Sequence, residues 1–176
     1  MRKILPLLML LLLFAASCDH RSPEQILEDA EVNLTQNKFD EAVKDYETFV
    51  KKYPDHPKAA ETSYRIAEIH MNRRQNIDDA IKAFLNTADG YEKTEYGAKA
   101  KFMAGFLLAN NTDRLDEAKK VYEDFLDTYP DHELRMAVTF EIENLGKPLE
   151  SIPQLKTILN ENNPEKPIIL QNATEK

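Results

Sequence analysis

The sequence predicts an all-α fold, a solenoid of three helical hairpins plus C-terminal capping helices. Three observations carry this. Ala42, Ala80 and Ala118 recur 38 residues apart in one frame: Phe39, Ile77 and Leu115 stand three residues before them, Tyr46, Phe84 and Tyr122 four after, and Tyr53, Tyr91 and Tyr129 eleven after. Self-similarity at a period of about 20–50 residues marks stacked repeats, in which no unit buries its apolar face alone. Within a copy, apolar residues follow three-and-four spacings, as at Ala42, Val43, Tyr46, Phe49, Val50 and Tyr53, which is one face of an α-helix. Only four glycines and no strong period-two run speak against a sheet.

Ser22-Pro23-Glu24 opens the first helix with an N-cap, a proline at the first helical position and an acid in the first turn. It runs to about Thr35, and Asn37-Lys38 turns the chain into a second helix over Phe39–Tyr53. Pro54 stops that helix, because a proline pushes the residue before it out of the helical region. A third helix begins near Pro57, and Arg73-Arg74-Gln75-Asn76 is its turn. Asp78-Asp79 then open a fourth, where acids suit the positive end of the helix dipole, and it ends near Tyr91. Glu95–Ala109 is the fifth, Leu115–Tyr129 the sixth, and Glu133–Leu145 a seventh closed by Gly146. Small residues at Ala67 and Gly105 in the first helices are expected to let the two helices of a hairpin approach closely, opposite Ala80 and Ala118.

The amino terminus reads as an address. Arg2 and Lys3 precede an apolar run from Ile4 to Ala16, followed by small residues and Cys18, the single cysteine of the chain. This is the order of a secretory signal. A helix of about 13 residues spans roughly 20 Å, too short for a hydrocarbon core of about 30 Å. Phe14-Ala15-Ala16-Ser17-Cys18 resembles the lipobox of bacterial lipoproteins. The resemblance implies cleavage before Cys18, lipidation of its sulfur, and a chain anchored to a membrane of the bacterial cell envelope without crossing it. Asp19 resembles an inner-membrane retention signal of enteric bacteria, a rule that does not extend to all phyla, so the residues leave inner and outer membrane undecided. The expected organisation is a signal peptide over 1–17, a lipid-anchored linker over 18–21, repeats and a capping helix over 22–146, a short helix over 147–160, and a flexible tail over 161–176.

Charge excludes several classes. The chain has 23 Lys and Arg against 31 Asp and Glu, a net charge of −8. That opposes nucleic-acid binding, which needs clustered cations on phosphates, and opposes a helix lying on anionic lipid. With one cysteine there is no disulfide staple.

Ala42, Ala80 and Ala118, the aromatics four residues later, Pro54 and Pro130, and the small residues Ala30, Ala67 and Gly105 together resemble the tetratricopeptide repeat (TPR) family, from Ser22 to about Leu145. Three departures stand out: a period of 38 where the family's usual unit is about 34, Phe49 and Phe125 where the family often has a small residue, and Glu92 in place of the terminal proline. On a lipobox, this long unit is similar to envelope lipoproteins of the BamD/CpoB-type class. The family likeness implies a groove lined by the first helices. Its outward positions here are Leu27, Glu31 and Leu34, then Tyr64, Glu68, Met71 and Asn72, then Phe102, Phe106 and Asn110. Such a set suits capture of a peptide or of another envelope protein; equally, the aromatics pack on neighbouring repeats or on the C-terminal segment.

No chemistry is expected. His56 and His132 each follow Pro-Asp, but two repeat units separate them, so each is expected to cap a turn and no metal or cofactor is implied. The chain lacks a zinc-protease motif, a phosphate loop and a nucleophile elbow. The protein therefore reads as a non-enzymatic, membrane-anchored scaffold, or alternatively as a spacer whose groove is filled by its own C-terminal segment. In that segment Ser151 is expected to cap a helix placing Ile152, Leu155, Ile158 and Leu159 on one face. Beyond it, Pro167-Ile168-Ile169-Leu170 is an apolar island, either a docking peptide or part of an unstructured tail.

Overall fold

The structure is a computed structural model that describes residues 20–73, 75–148 and 151–152. Among these residues there are seven helices and no strand: α1 Pro23–Thr35, α2 Phe39–Lys52, α3 Ala59–Asn72, α4 Ile77–Gly90, α5 Glu95–Asn111, α6 Leu115–Thr128 and α7 Arg135–Asn144. The chain divides into two compact units, one up to Thr62 and one from Ser63. The all-α, TPR-like architecture of helical hairpins expected from the sequence is the one observed.

In the first unit α1 packs on α2. Ser22 Oγ accepts the Gln25 N–H at 3.2 Å and Gln25 Oε1 accepts the Ser22 N–H at 3.0 Å, a reciprocal box that satisfies two otherwise orphaned donors. Ile26 and Ala30 face Ala42, Val43, Tyr46 and Phe49 of α2 as the buried residues of this hairpin. Arg21 is tied into the same unit: its guanidinium pairs with Asp29 at 2.7 Å and Asp45 at 2.8 Å, and its carbonyl accepts the Tyr53 hydroxyl at 3.2 Å.

In the second unit α4 packs on α5, α5 on α6 and α6 on α7. Ala67, Ala80, Phe84, Ala104, Leu108, Ala118, Tyr122, Phe125 and Val138 form its continuous core. The expected close approach at Gly105 is real, but its partner differs. A Cβ at Gly105 would lie 2.5 Å from the Tyr122 ring, so the glycine makes room for the aromatic four residues after Ala118. Tyr129 repeats the latch seen at Tyr53: its hydroxyl donates to the Glu92 carbonyl at 2.9 Å, in the peptide just before the first helix of the same hairpin.

The hairpin turns share one backbone device. Asn37, Gln75 and Asp113 all have positive φ, at 58°, 52° and 54°. In the first turn the Asn37 N–H reaches Leu34 O and the Lys38 N–H reaches Asn33 O, the paired bonds of a Schellman motif. After α7 the left-handed position falls to Gly146, at φ 72°, as its place after the helix led one to expect.

Three helix limits differ from expectation by two residues, and α2, α6 and α7 each end one residue early, at Lys52, Thr128 and Asn144. Helix α3 starts at Ala59, two residues late, and α7 at Arg135, also two residues late. The cause is the same in both. The imidazole Nδ1 of His56 accepts the Lys58 N–H, and that of His132 accepts the Leu134 N–H, each at 3.1 Å, while Ala59 and Arg135 bond back to the histidine carbonyls. At the matching position in the middle copy Thr94 caps Gly97 through its hydroxyl, and α5 begins at once with Glu95. Helix α5 also runs to Asn111, two residues past Ala109. Ser151 lies in a 3-10 turn, with its N–H and hydroxyl both donating to Pro148 O, where a helix N-cap was expected. Ile152, the first residue of the expected apolar face, is buried. The expected signal segment with Cys18, the rest of the expected C-terminal helix and the island Ile168–Leu170 lie outside the described residues.

Candidate functional site

The first helix of each hairpin carries a small residue followed by a carboxylate in the first two copies and an aromatic in the third: Ala30-Glu31, Ala67-Glu68, Gly105-Phe106. The second helix carries Tyr46, Phe84 and Tyr122 in the matching register. In the first unit these residues meet. The Tyr46 hydroxyl donates to Glu31 Oε1 at 2.7 Å, so Glu31 is committed inside its own hairpin. Leu27 and Leu34 beside it are half-buried.

In the second unit the pairing is lost in two ways. The middle copy keeps the carboxylate and lacks the hydroxyl. Its Tyr64 lies edge-on to Phe84, with centroids 5.2 Å apart, and 5.7 Å from Tyr96, which sets α3 beside α5. Burial pushes the Tyr64 hydroxyl up to about 12 and raises the Glu68 carboxyl above its ordinary range, against the opposing pull of Arg65. Met71 packs on the core and Asn72 is exposed.

The third copy keeps the hydroxyl and lacks the carboxylate, because Phe106 occupies that position. The Tyr122 hydroxyl is buried with no hydrogen-bond partner among the described residues. Its ring lies 6.3 Å from Phe102, which in turn lies 6.3 Å from Phe106. Phe102 is half-buried, whereas Phe106 keeps 36% of its surface exposed and is, among the described residues, one of three large exposed apolar side chains, with Val32 and Met136. Asn110, one turn on, is exposed and donates to Phe106 O at 3.0 Å. Helix α7 carries Glu141. Its half-buried carboxyl is raised by burial and its charge raises the Tyr122 hydroxyl further, after burial. Glu141 makes no ion pair or hydrogen bond with the described residues. The rings of Phe102, Phe106 and Tyr122 thus form one run of aromatic contacts between α5 and α6, with Phe106 at its exposed end. Leu27, Glu31 and Leu34 belong to the first unit; the other seven residues of the expected groove belong to the second.

Glu141 was not foreseen from the sequence, and neither was the buried Lys101. The Lys101 ammonium is charge-paired with Asp124, near Thr128 Oγ1 at 3.4 Å, and stands 5.6 Å over the Tyr129 ring. A register signal existed for Lys101. It stands 38 residues after Ser63, whose hydroxyl meets that of Thr87 at 2.7 Å across the preceding hairpin.

The positions that invite chemistry serve structure. His132 Nδ1 is taken by the Leu134 N–H, which places the ring proton on Nε2, 3.1 Å from Glu95. Lys99 first, and then His132, hold the Glu95 carboxyl below its ordinary range. His56 and His132 also lie edge-on to Phe49 and Phe125. The cleft there, about 350 Å³, is lined by Glu92, Thr94, Glu95, Tyr129 and His132 among others. Among the described residues no group of three or more His, Cys, Asp or Glu is placed to hold a metal ion, and no helix is long and apolar enough to cross a membrane.

Helical hairpins repeated at fixed spacing, each with a small residue against an aromatic, define a helical-repeat protein of the protein-binding kind. The tetratricopeptide-repeat family matches residues 28–95 and again residues 99–132, and the chain is a tetratricopeptide-repeat protein. Comparison with curated proteins finds no match.

Proposed function

We propose that this protein is a non-enzymatic scaffold, lipid-anchored through Cys18 in a bacterial cell envelope, that captures a segment of another envelope protein on the face of α5 that carries Phe102 and Phe106. The tetratricopeptide class supports the protein-binding part. The observation that carries the site is Phe106: an aromatic left exposed beside the half-buried Phe102, at the position where the other copies place a carboxylate. Exposed aromatics in shallow apolar surfaces are the usual anchors of peptide capture. The anchor rests on the lipobox-like Phe14–Cys18 sequence, and kinship with the BamD/CpoB-type lipoproteins on the long repeat.

A photo-reactive residue in place of Asn110, one turn from Phe106, tests this in native membranes. The expected result is one discrete cross-linked envelope protein whose yield falls at least tenfold when Phe102 and Phe106 are both serine. Cross-linking unaffected by that double substitution would remove this face from the proposal.

A further inference from the structure

Arg21 is fixed on the first hairpin. Its guanidinium pairs with Asp29 and Asp45, and its carbonyl accepts the Tyr53 hydroxyl at 3.2 Å and the Lys52 ammonium at 3.4 Å. The chain therefore enters the fold at one defined place, the end of the hairpin where α1 begins and α2 finishes. Charge separates this end from the rest. Residues 20–24 and 51–58 hold four Lys and Arg against two Asp and Glu, and Lys51, Lys52 and Lys58 are exposed. Asp19 adds one acid and leaves the end positive. The remainder of the hairpin, residues 25–50, holds two Lys against seven Asp and Glu.

We infer that this end of the first hairpin sits on the lipid headgroup layer, with Lys51, Lys52 and Lys58 against anionic phosphates and the turn between α1 and α2 pointing away. The inference rests on the lipid anchor at Cys18 proposed above, and adds to it a contact surface, an orientation and a partner chemistry.

Reach demands closeness. Cys18 and Arg21 are three residues apart in sequence, which is at most about 10–11 Å of extended chain. The headgroup layer on each side of a bilayer is about 5–8 Å thick. A sulfur whose acyl chains lie in the hydrocarbon thus holds Arg21 within a few ångströms of the headgroup surface. Lys52, 3.4 Å from the Arg21 carbonyl, then stands close enough for attraction to lipid charge, which survives over a Debye length of about 8 Å at physiological ionic strength. Charge decides which way the hairpin stands. Lying flat, it would press an acidic flank on the same lipid, with Glu28 and Asp29 on α1 or Asp40, Glu41 and Glu47 on α2. Standing on its lysine end, it joins the short tether to a favourable charge. A helix of 14 residues, as α2 is, measures about 21 Å. Gln36, in the turn at the far end, is then held about 20 Å further from the lipid than the anchored end.

The test uses the acylated full chain in vesicles of phosphatidylglycerol and phosphatidylethanolamine that carry a headgroup label. A photo-reactive residue replaces either Asp55 at the anchored end or Gln36 at the far turn, both exposed. The expected result is label transfer at least tenfold greater at position 55 than at position 36. That ratio should fall several-fold in Lys51→Gln/Lys52→Gln/Lys58→Gln, and likewise in vesicles of phosphatidylcholine alone. A long Gly-Ser insertion between Asp19 and His20 alters no described contact and should lower transfer at position 55 at least fivefold. Equal transfer at the two positions, or a ratio that the triple substitution leaves unchanged, overturns the inference and leaves the anchor standing. A wild-type chain that takes up no metabolic lipid label overturns the anchor and this inference together.

Discussion

Tyr122 and Tyr46 hold the same register and have opposite energetics. The Tyr46 hydroxyl donates to Glu31, and the Tyr122 hydroxyl is buried with no acceptor among the described residues. A buried polar group left unpaired costs about 1–3 kcal/mol, while a made bond to a charged acceptor contributes about 1.5–3 kcal/mol. Tyr122→Phe should therefore raise stability by about 1 kcal/mol and Tyr46→Phe should lower it by about 1–2 kcal/mol, read from denaturant midpoints. Equal effects of both changes would refute the assignment. Glu141 allows a second test at this scale. Its folded carboxyl titrates above the ordinary 4.5 because burial disfavours the charge. The folded state thus binds its proton more tightly than the unfolded chain, and stability falls as pH rises from about 4.5 through the raised value. Glu141→Gln should raise the melting temperature at pH 7 and leave it nearly unchanged at pH 4, where both forms are neutral. Thermal melts at the two pH values decide it. None of this was legible from residue types alone. The register of Glu31, Glu68 and Phe106 was visible, but which hydroxyl faced which carboxylate depended on side-chain placement across the hairpin.

At the scale of the element, the helices were legible and their starts less so. Turn residues and the 38-residue register placed all seven; a single apolar face marks α2, α4 and α6, whereas α5 buries residues round most of its circumference. The late starts of α3 and α7 were hidden in a local competition: an imidazole at His56 or His132 bonds a backbone N–H and holds the chain in a turn for two more residues. The turns carry their own prediction. Gln75 sits at φ 52°, a conformation that costs an ordinary L-residue about 1–2 kcal/mol and glycine far less. Gln75→Gly should stabilise the protein by about 0.5–1 kcal/mol once the greater freedom of unfolded glycine is counted. A lower melting temperature would contradict it. Ala80 tests the helix contact. It is fully buried in the core of the second unit, and Ala80→Leu should destabilise by about 1–3 kcal/mol through overpacking. An unchanged melt would place Ala80 outside any close contact.

For the whole molecule, the repeat was read correctly because a stacked architecture writes itself into the sequence once per unit. Four-residue frames around Ala42, Ala80 and Ala118 fix the helix faces, and the family match over 28–95 and 99–132 follows the same residues. The candidate face was only partly legible. Nothing in the sequence separated Phe106, exposed, from Phe102, half-buried, although both are four residues apart on α5. The anchor is argued at this scale too. Cys18→Ser should abolish metabolic lipid labelling and leave an unprocessed or soluble product, seen by gel shift and membrane fractionation. A wild-type chain that takes up no lipid would dispose of the anchor.

The tyrosine latches have one more consequence. Tyr53 closes onto Arg21 and Tyr129 onto Glu92, each bonding the peptide that precedes its own hairpin. Both ends of the fastening are thus written within one repeat length. A duplication or deletion of a whole unit carries its clasp along with it, while an insertion between the two ends separates them. The fold can therefore change length in whole cassettes, and the register of 38 is the increment in which such a gene can grow.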